Sequence, residues 1–301
     1  MRVLRLLTVL AATAALAVGC SMARFGYDAL PTWVNWQANR YLDLDAQQRA
    51  IVERHLDEVL LWHRQTQLPE YGAFLRAVDD RVRTGLDPAD LGAWRAELGG
   101  AWTALAERLA PGVAELGVQL RPEQLDRLRM RLAQADDKLR AEWLPADGRS
   151  REEARVERLQ RRASFFLGRL SAEQARRVAA LAAAMPPTEE AWLAERAARN
   201  ARLLQLLERL SRERPEPAQA LRITRAGLLE LWTRPGTQTA QGVARSVDAG
   251  DVFAVQVLAL ATPRQRAHLS ELLTGYAKDF EALAARAQPQ PPVRQAAAGA
   301  G

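Results

Sequence analysis

Cysteine is nearly absent from this chain of 301 residues, which has only Cys20. Exported domains that rely on disulfides carry cysteines in pairs, so no disulfide framework holds this fold. Lysine is almost as scarce. Lys138 and Lys278 are the only two, and arginine supplies the rest of the 42 basic side chains. Arginines and acids alternate along most segments, so the net charge of +6 forms no basic stripe able to capture nucleic acid. Nucleic acid is therefore excluded as a partner. Strand signatures are missing as well, since no segment alternates apolar and polar residues with β-branched enrichment and turn dipeptides. There is no G-x-S-x-G elbow and no phosphate loop. The histidines number three: His55, His63 and His268. His55 and His63 would lie about 80° apart around an ideal helix and about 12 Å apart along it, a poor geometry for sharing a metal. His63, flanked by Trp62 and Arg64, reads as a buried hydrogen-bonding residue that fixes a turn at Leu68-Pro69. His268 falls at the edge of the face carrying Leu269 and Leu272. No catalytic residue, metal ligand or cofactor site is assigned.

What the chain does carry, at its start, is MRVLRLLTVLAATAALAVGCS. Arg2 and Arg5 give a short cationic start, and Leu6 to Val18 is an unbroken run of apolar or small residues. About 20 apolar residues are needed to cross a bilayer as a helix, and this run is shorter, so residues 1–19 read as an export signal. Small residues directly before Cys20 resemble the lipobox of bacterial lipoproteins, with Ala17 where that motif usually has leucine. The resemblance implies that the Cys20 thiol carries diacylglycerol and that the signal is cut just before it. A lone thiol at the end of a signal fits that modification. Several buried acyl chains, such as palmitate, at ~0.8 kcal/mol per CH₂ would make the attachment effectively permanent. Ser21 follows instead of the aspartate that favours inner-membrane retention in enteric bacteria, so the resemblance implies the inner leaflet of the outer membrane, facing the periplasm.

Removing the signal leaves 282 residues, enough for one large domain or two small ones. Residues 20–44 form the most aromatic window, with Phe25, Tyr27, Trp33, Trp36 and Tyr41. Two readings compete there. Aromatics beside a lipid anchor can sit at headgroup level, or they can clamp an N-terminal arm to the core. The helical spacing of Leu30, Trp33 and Trp36 favours the clamp. Beyond the arm, apolar residues recur every three or four positions, which predicts an all-α bundle of roughly ten antiparallel-packed helices. A helical subdomain is expected over 45–145, a second over 146–286, and a disordered tail at 287–301, AQPQPPVRQAAAGAG. Gly99-Gly100 predicts a kink or a close crossing. Pro111 is expected to end its helix, and 234–242, RPGTQTAQG, reads as a loop.

The words between Cys20 and Leu75 carry a family resemblance. Tyr27, Trp33, Tyr41-Leu42-Asp43-Leu44 and Gln48 are followed by Trp62-His63-Arg64-Gln65-Thr66-Gln67-Leu68-Pro69-Glu70-Tyr71 and then Phe74-Leu75. Together with the lipobox, this pattern resembles a proteobacterial lipoprotein family known as domain of unknown function 6279. The resemblance implies export, lipidation and a helical body, and it brings no activity with it.

One further word recurs, at Leu44-Asp45-Ala46-Gln47-Gln48, Leu120-Arg121-Pro122-Glu123-Gln124, Leu170-Ser171-Ala172-Glu173-Gln174 and Ala261-Thr262-Pro263-Arg264-Gln265. Physically it is a helix-start capping box, with the glutamine reaching back to the capping residue's own amide. The Arg121 copy lacks the capping oxygen. The word also resembles the LTxxQ signature of Spy- and CpxP-like periplasmic proteins, although capping alone accounts for every residue in it. The expectation is a non-catalytic binding or scaffolding protein of the cell envelope, held to the membrane by the lipid on Cys20. Its partner would be an envelope protein or peptidoglycan. The alternatives are a Spy-like chaperone or envelope-stress protein and a cell-wall lytic enzyme, which needs one acid in a deep cleft.

Overall fold

The computed structural model describes residues 23–145, 150–231 and 238–287. Cys20 and its signal, residues 146–149 between the two expected subdomains, and all of the tail but Ala287 lie outside these residues. Among the described residues the secondary structure is helical, with no strand. A helical stretch at 23–28 leads into α1 (Leu30–Leu42) and α2 (Ala46–Trp62). A π-helical turn (His63–Gln67) joins α2 to α3 (Leu68–Thr84), and α4 (Pro88–Gly117) and α5 (Pro122–Trp143) follow. The second half holds α6 (Arg151–Leu167), α7 (Ala172–Ala183), α8 (Glu189–Glu213), α9 (Pro217–Glu230), α10 (Gln238–Ala259) and α11 (Pro263–Ala285).

Helix starts follow local chemistry. Asp45, Asp87, Ser150, Ser171 and Thr262 each accept from an amide of the first turn, closing a capping box with the residue three further on. Tertiary packing overrides local signals in two places. Pro69 does not make a turn between separate helices. Proline has no N–H, and the chain absorbs that loss in the π-turn, where the Leu68 amide donates to the His63 carbonyl five residues back. Likewise α4 runs 30 residues straight through Gly99-Gly100 and Pro111, where an interruption and a stop were expected. Its small face, Ala106, Ala110 and Ala114, is buried with Leu206, Leu210, Ala220 and Leu228 of α8 and α9. That burial outweighs the hydrogen bond lost at Pro111. The close crossing lies not at Gly100, which has nothing within 4 Å of its missing side chain, but at Gly112, where a Cβ would come 2.8 Å from that of His55. A third expectation also shifts: α10 begins at Gln238, inside the window read as a loop, and Gly242 lies against Ala191 of α8.

The apolar clusters tie distant parts of the chain together. Val82 of α3 packs with Ala163, Leu167, Val178, Phe253, Leu269 and Leu273. Leu120, Leu125 and Leu128 meet Leu207. Leu68 meets Leu283 and Ala284, with Tyr27, Tyr71 and Phe280 around them. Every cluster combines residues from before and after 146–149. Helices α3 and α11 lie antiparallel, linked by Arg76 with Glu281 at 2.6 Å and by Arg83 with Ser270 at 2.9 Å.

The N-terminal arm is divided in its behaviour. Tyr27, Tyr41 and Leu42 pack against clusters, and Arg24 reaches the buried Asp279 at 2.6 Å. Phe25, Trp33 and Trp36 do not clamp at all. They are 73%, 54% and 55% exposed, and α1 has no buried residue.

Candidate functional site

The four repeated words come together in pairs. In the first pair the N-termini of α2 and α5 meet, and the amides of Gln48 and Gln124 bond each other reciprocally at 3.0 and 2.7 Å. Each glutamine oxygen also accepts from the backbone N–H that starts its own helix, at Asp45 and at Arg121. The amide nitrogens then close the loops ahead of the helices: Gln48 donates to the Gln119 carbonyl, and Gln124 donates to those of Leu42 and Asp43. Arg121 has no acceptor to cap its helix, and its guanidinium instead reaches Asp45 at 2.7 Å. The second pair repeats the plan at the starts of α7 and α11. Gln174 and Gln265 exchange bonds of 2.7 and 3.1 Å and donate to the carbonyls of Leu260 and Arg169. Capping explains why each glutamine exists, and the reciprocal pairing explains why Gln48 and Gln124 are nearly inaccessible to solvent.

The second clasp forms the floor of an open cavity of about 550 Å³ lined by Arg169, Arg264 and His268 together with the capping residues Ser171 and Thr262. A more apolar cleft of about 460 Å³ lies between α4 and the start of α9, lined by Pro111, Ala114, Val118, Pro215 and Leu221 with His55 and Glu115 at its edge. Glu115 is the carboxylate to test for acid catalysis. Arg54 bonds it at 2.6 Å and the His55 ring at 2.8 Å. These two bonds, Arg54 first, hold its carboxyl below the usual carboxylate range. A general acid of glycoside hydrolysis needs the opposite shift, so Glu115 is placed as an ion-pair residue of the α2–α4 contact.

His63 begins the π-turn as a half-buried residue. Its Nδ1 and the Tyr27 hydroxyl are hydrogen-bonded at 3.0 Å, the Tyr27 ring stacks on it at 5.8 Å, and Tyr71 meets it edge-on at 5.5 Å. Arg64 lies over the Tyr27 ring. Burial, reinforced by the Arg64 charge, lowers the His63 pKa and keeps the imidazole neutral. His55 and His63 thus serve different partners, Glu115 and Tyr27. His268 lies exposed in the cavity wall. Among the described residues no group of three or more histidine, cysteine or acidic side chains is placed to hold a metal, and no helix is long and apolar enough to cross a membrane.

Sequence reasoning missed a set of buried acids paired with arginine: Asp79 with Arg83, Asp279 with Arg24, Asp251 with Arg95, Glu195 with Arg202, and Glu189 between Arg155 and Arg158. Two of them left a signal. Asp79 stands among Leu75, Val78 and Val82, and Asp279 among Tyr276, Phe280 and Leu283, each on an apolar helix face where a carboxylate needs a partner.

A family model described as a family of unknown function, DUF6279, matches residues 40–234. No curated protein and no solved structure matches the chain.

Proposed function

The chain belongs to the family of unknown function DUF6279, and on that premise we propose that it is a lipid-anchored helical protein of the periplasm. It is held through Cys20 on the inner leaflet of the outer membrane and acts there by binding, not by catalysis. The observation that carries the anchor is the lone cysteine directly after an apolar stretch too short to span a bilayer. Binding is supported by the ionisable groups of the body. The buried carboxylates are matched to guanidinium groups, and Glu115 at the cleft edge is held ionised. The partner is an envelope protein or peptidoglycan.

A Spy-like chaperone is the second reading. It is favoured by the pairing of the LTxxQ-like words into two clasps, which makes them an organising feature and not four independent caps.

Four measurements test these readings. Cys20→Ser is expected to leave an unprocessed precursor without acyl chains, and normal maturation of that variant overturns the anchor. Crosslinking in intact cells is expected to trap a specific envelope partner. Release of muropeptides from purified sacculi overturns the non-catalytic reading, whereas stoichiometric suppression of client aggregation favours the chaperone.

A further inference from the structure

Phe25 of the helical stretch at 23–28 and Trp33 and Trp36 of α1, an element that buries none of its residues, are large apolar side chains more than half exposed to solvent. Their arrangement is not scattered. The backbone bonds from Ala29 to the Phe25 carbonyl and from Trp33 to the Ala29 carbonyl continue the helical stretch at 23–28 into α1. On an ideal helix, Phe25, Trp33, Trp36 and Arg40 then fall within an arc of about 80°, and Phe25 and Trp36 are about 17 Å apart along the axis. No acidic residue falls within that arc. Asp28, just outside it, is paired with Arg286 at 3.2 Å. Arg40 lies over the Trp36 ring at 5.2 Å, so a cation stands beside the indole.

The length of chain ahead of the helix says what covers this stripe. Cys20 precedes Phe25 by five residues, which span about 18 Å at full extension. We propose that the Phe25–Trp33–Trp36–Arg40 stripe, running from the 23–28 stretch along α1, seats at the headgroup level of the bilayer that holds the Cys20 lipid, so that the helix lies along the membrane. The inference rests on the anchor reading. Indoles favour the interface because their ring is apolar and their N–H is polar. The Arg40 guanidinium is positioned to meet lipid phosphate.

The test uses the full chain as matured in cells, reconstituted in phosphatidylethanolamine–phosphatidylglycerol vesicles whose acyl chains are brominated near the headgroup. Bromine quenches tryptophan fluorescence on contact. The native protein is expected to be quenched, and Trp33→Phe with Trp36→Phe is expected to remove roughly half or more of that quenching, since these two indoles would be the ones at the interface. Both positions are exposed, so the double variant should keep its helical circular dichroism. Equal quenching in the native and double-variant proteins, or no quenching with Cys20 acylated by mass, overturns the inference while leaving the anchor standing. An unmodified Cys20 with no vesicle binding removes both. Quenching that depends on Trp33 and Trp36 without any acyl chain keeps the membrane contact and removes the anchor. Doubling of the molecular mass in detergent, lost in the double variant, would assign the stripe to a second copy of the chain and overturn the inference.

Discussion

His63 is where the chemistry of a single residue is easiest to read. Its ring lies between Tyr27 and Tyr71, and burial together with the Arg64 charge lowers its pKa from the ordinary 6.5. As the pH falls, the unfolded chain takes up this proton before the folded one does. The stability associated with neutral His63 is therefore present in full above about 6.5 and is lost as the pH drops toward the folded value. Carboxylates titrate lower, near 4. The urea midpoint is expected to fall as the pH drops below about 6.5 while still above the carboxylate range, and His63→Gln should flatten that fall. An unchanged slope in the variant would show that the ring titrates freely. The sequence marks His63 as a hydrogen-bonding residue, because tryptophan and arginine flank it. It does not give the partner, since Tyr27 is 36 positions away.

Among the elements, the glutamine clasps do the joining. Gln48 and Gln124 each close the start of their own helix and bind the other helix as well. Replacing Gln124 with leucine would leave the Leu42 and Asp43 carbonyls and the Gln48 amide short of partners, at a cost of about 1–3 kcal/mol. In a double-mutant cycle with Gln48→Leu, a coupling on the order of 1 kcal/mol is expected in urea unfolding, and strict additivity would mean that each glutamine only caps. The starts of these helices were legible because capping is local chemistry within four residues. The pairing was not, because nothing in one word specifies which other word it faces. The same division explains α4. Gly99-Gly100 and Pro111 are correct local signals for a weak helix, but the burial of Ala106, Ala110 and Ala114 that overrides them comes from α8 and α9, about a hundred residues away in sequence. The exposure of Trp33 and Trp36 was likewise hidden, since helical spacing alone does not say which face turns inward.

Across the whole molecule, each apolar cluster draws residues from both halves, although the one around Val82 is built mostly by the second half. Val82 packs among residues of α6, α7, α10 and α11, and Leu120 and Leu125 pack against Leu207. Calorimetry is therefore expected to show one cooperative transition, with the calorimetric and van't Hoff enthalpies in agreement. Two separate transitions would mean that the halves fold independently. The all-α architecture could be read from periodicity because every long segment repeats at three and four residues. How the segments interleave could not, since apolar stripes are interchangeable until they are packed.

The Arg24 contact with Asp279 also governs reach. Among the described residues, helical structure is present from residue 23, three positions after Cys20, and Arg24 ties that turn to α11. Three residues extend about 10 Å at most. With Cys20 lipidated as proposed, a protein tethered so closely would have no leash on which to patrol the periplasm. It would ride flat against its leaflet, and whatever it binds would have to come to the membrane to be met.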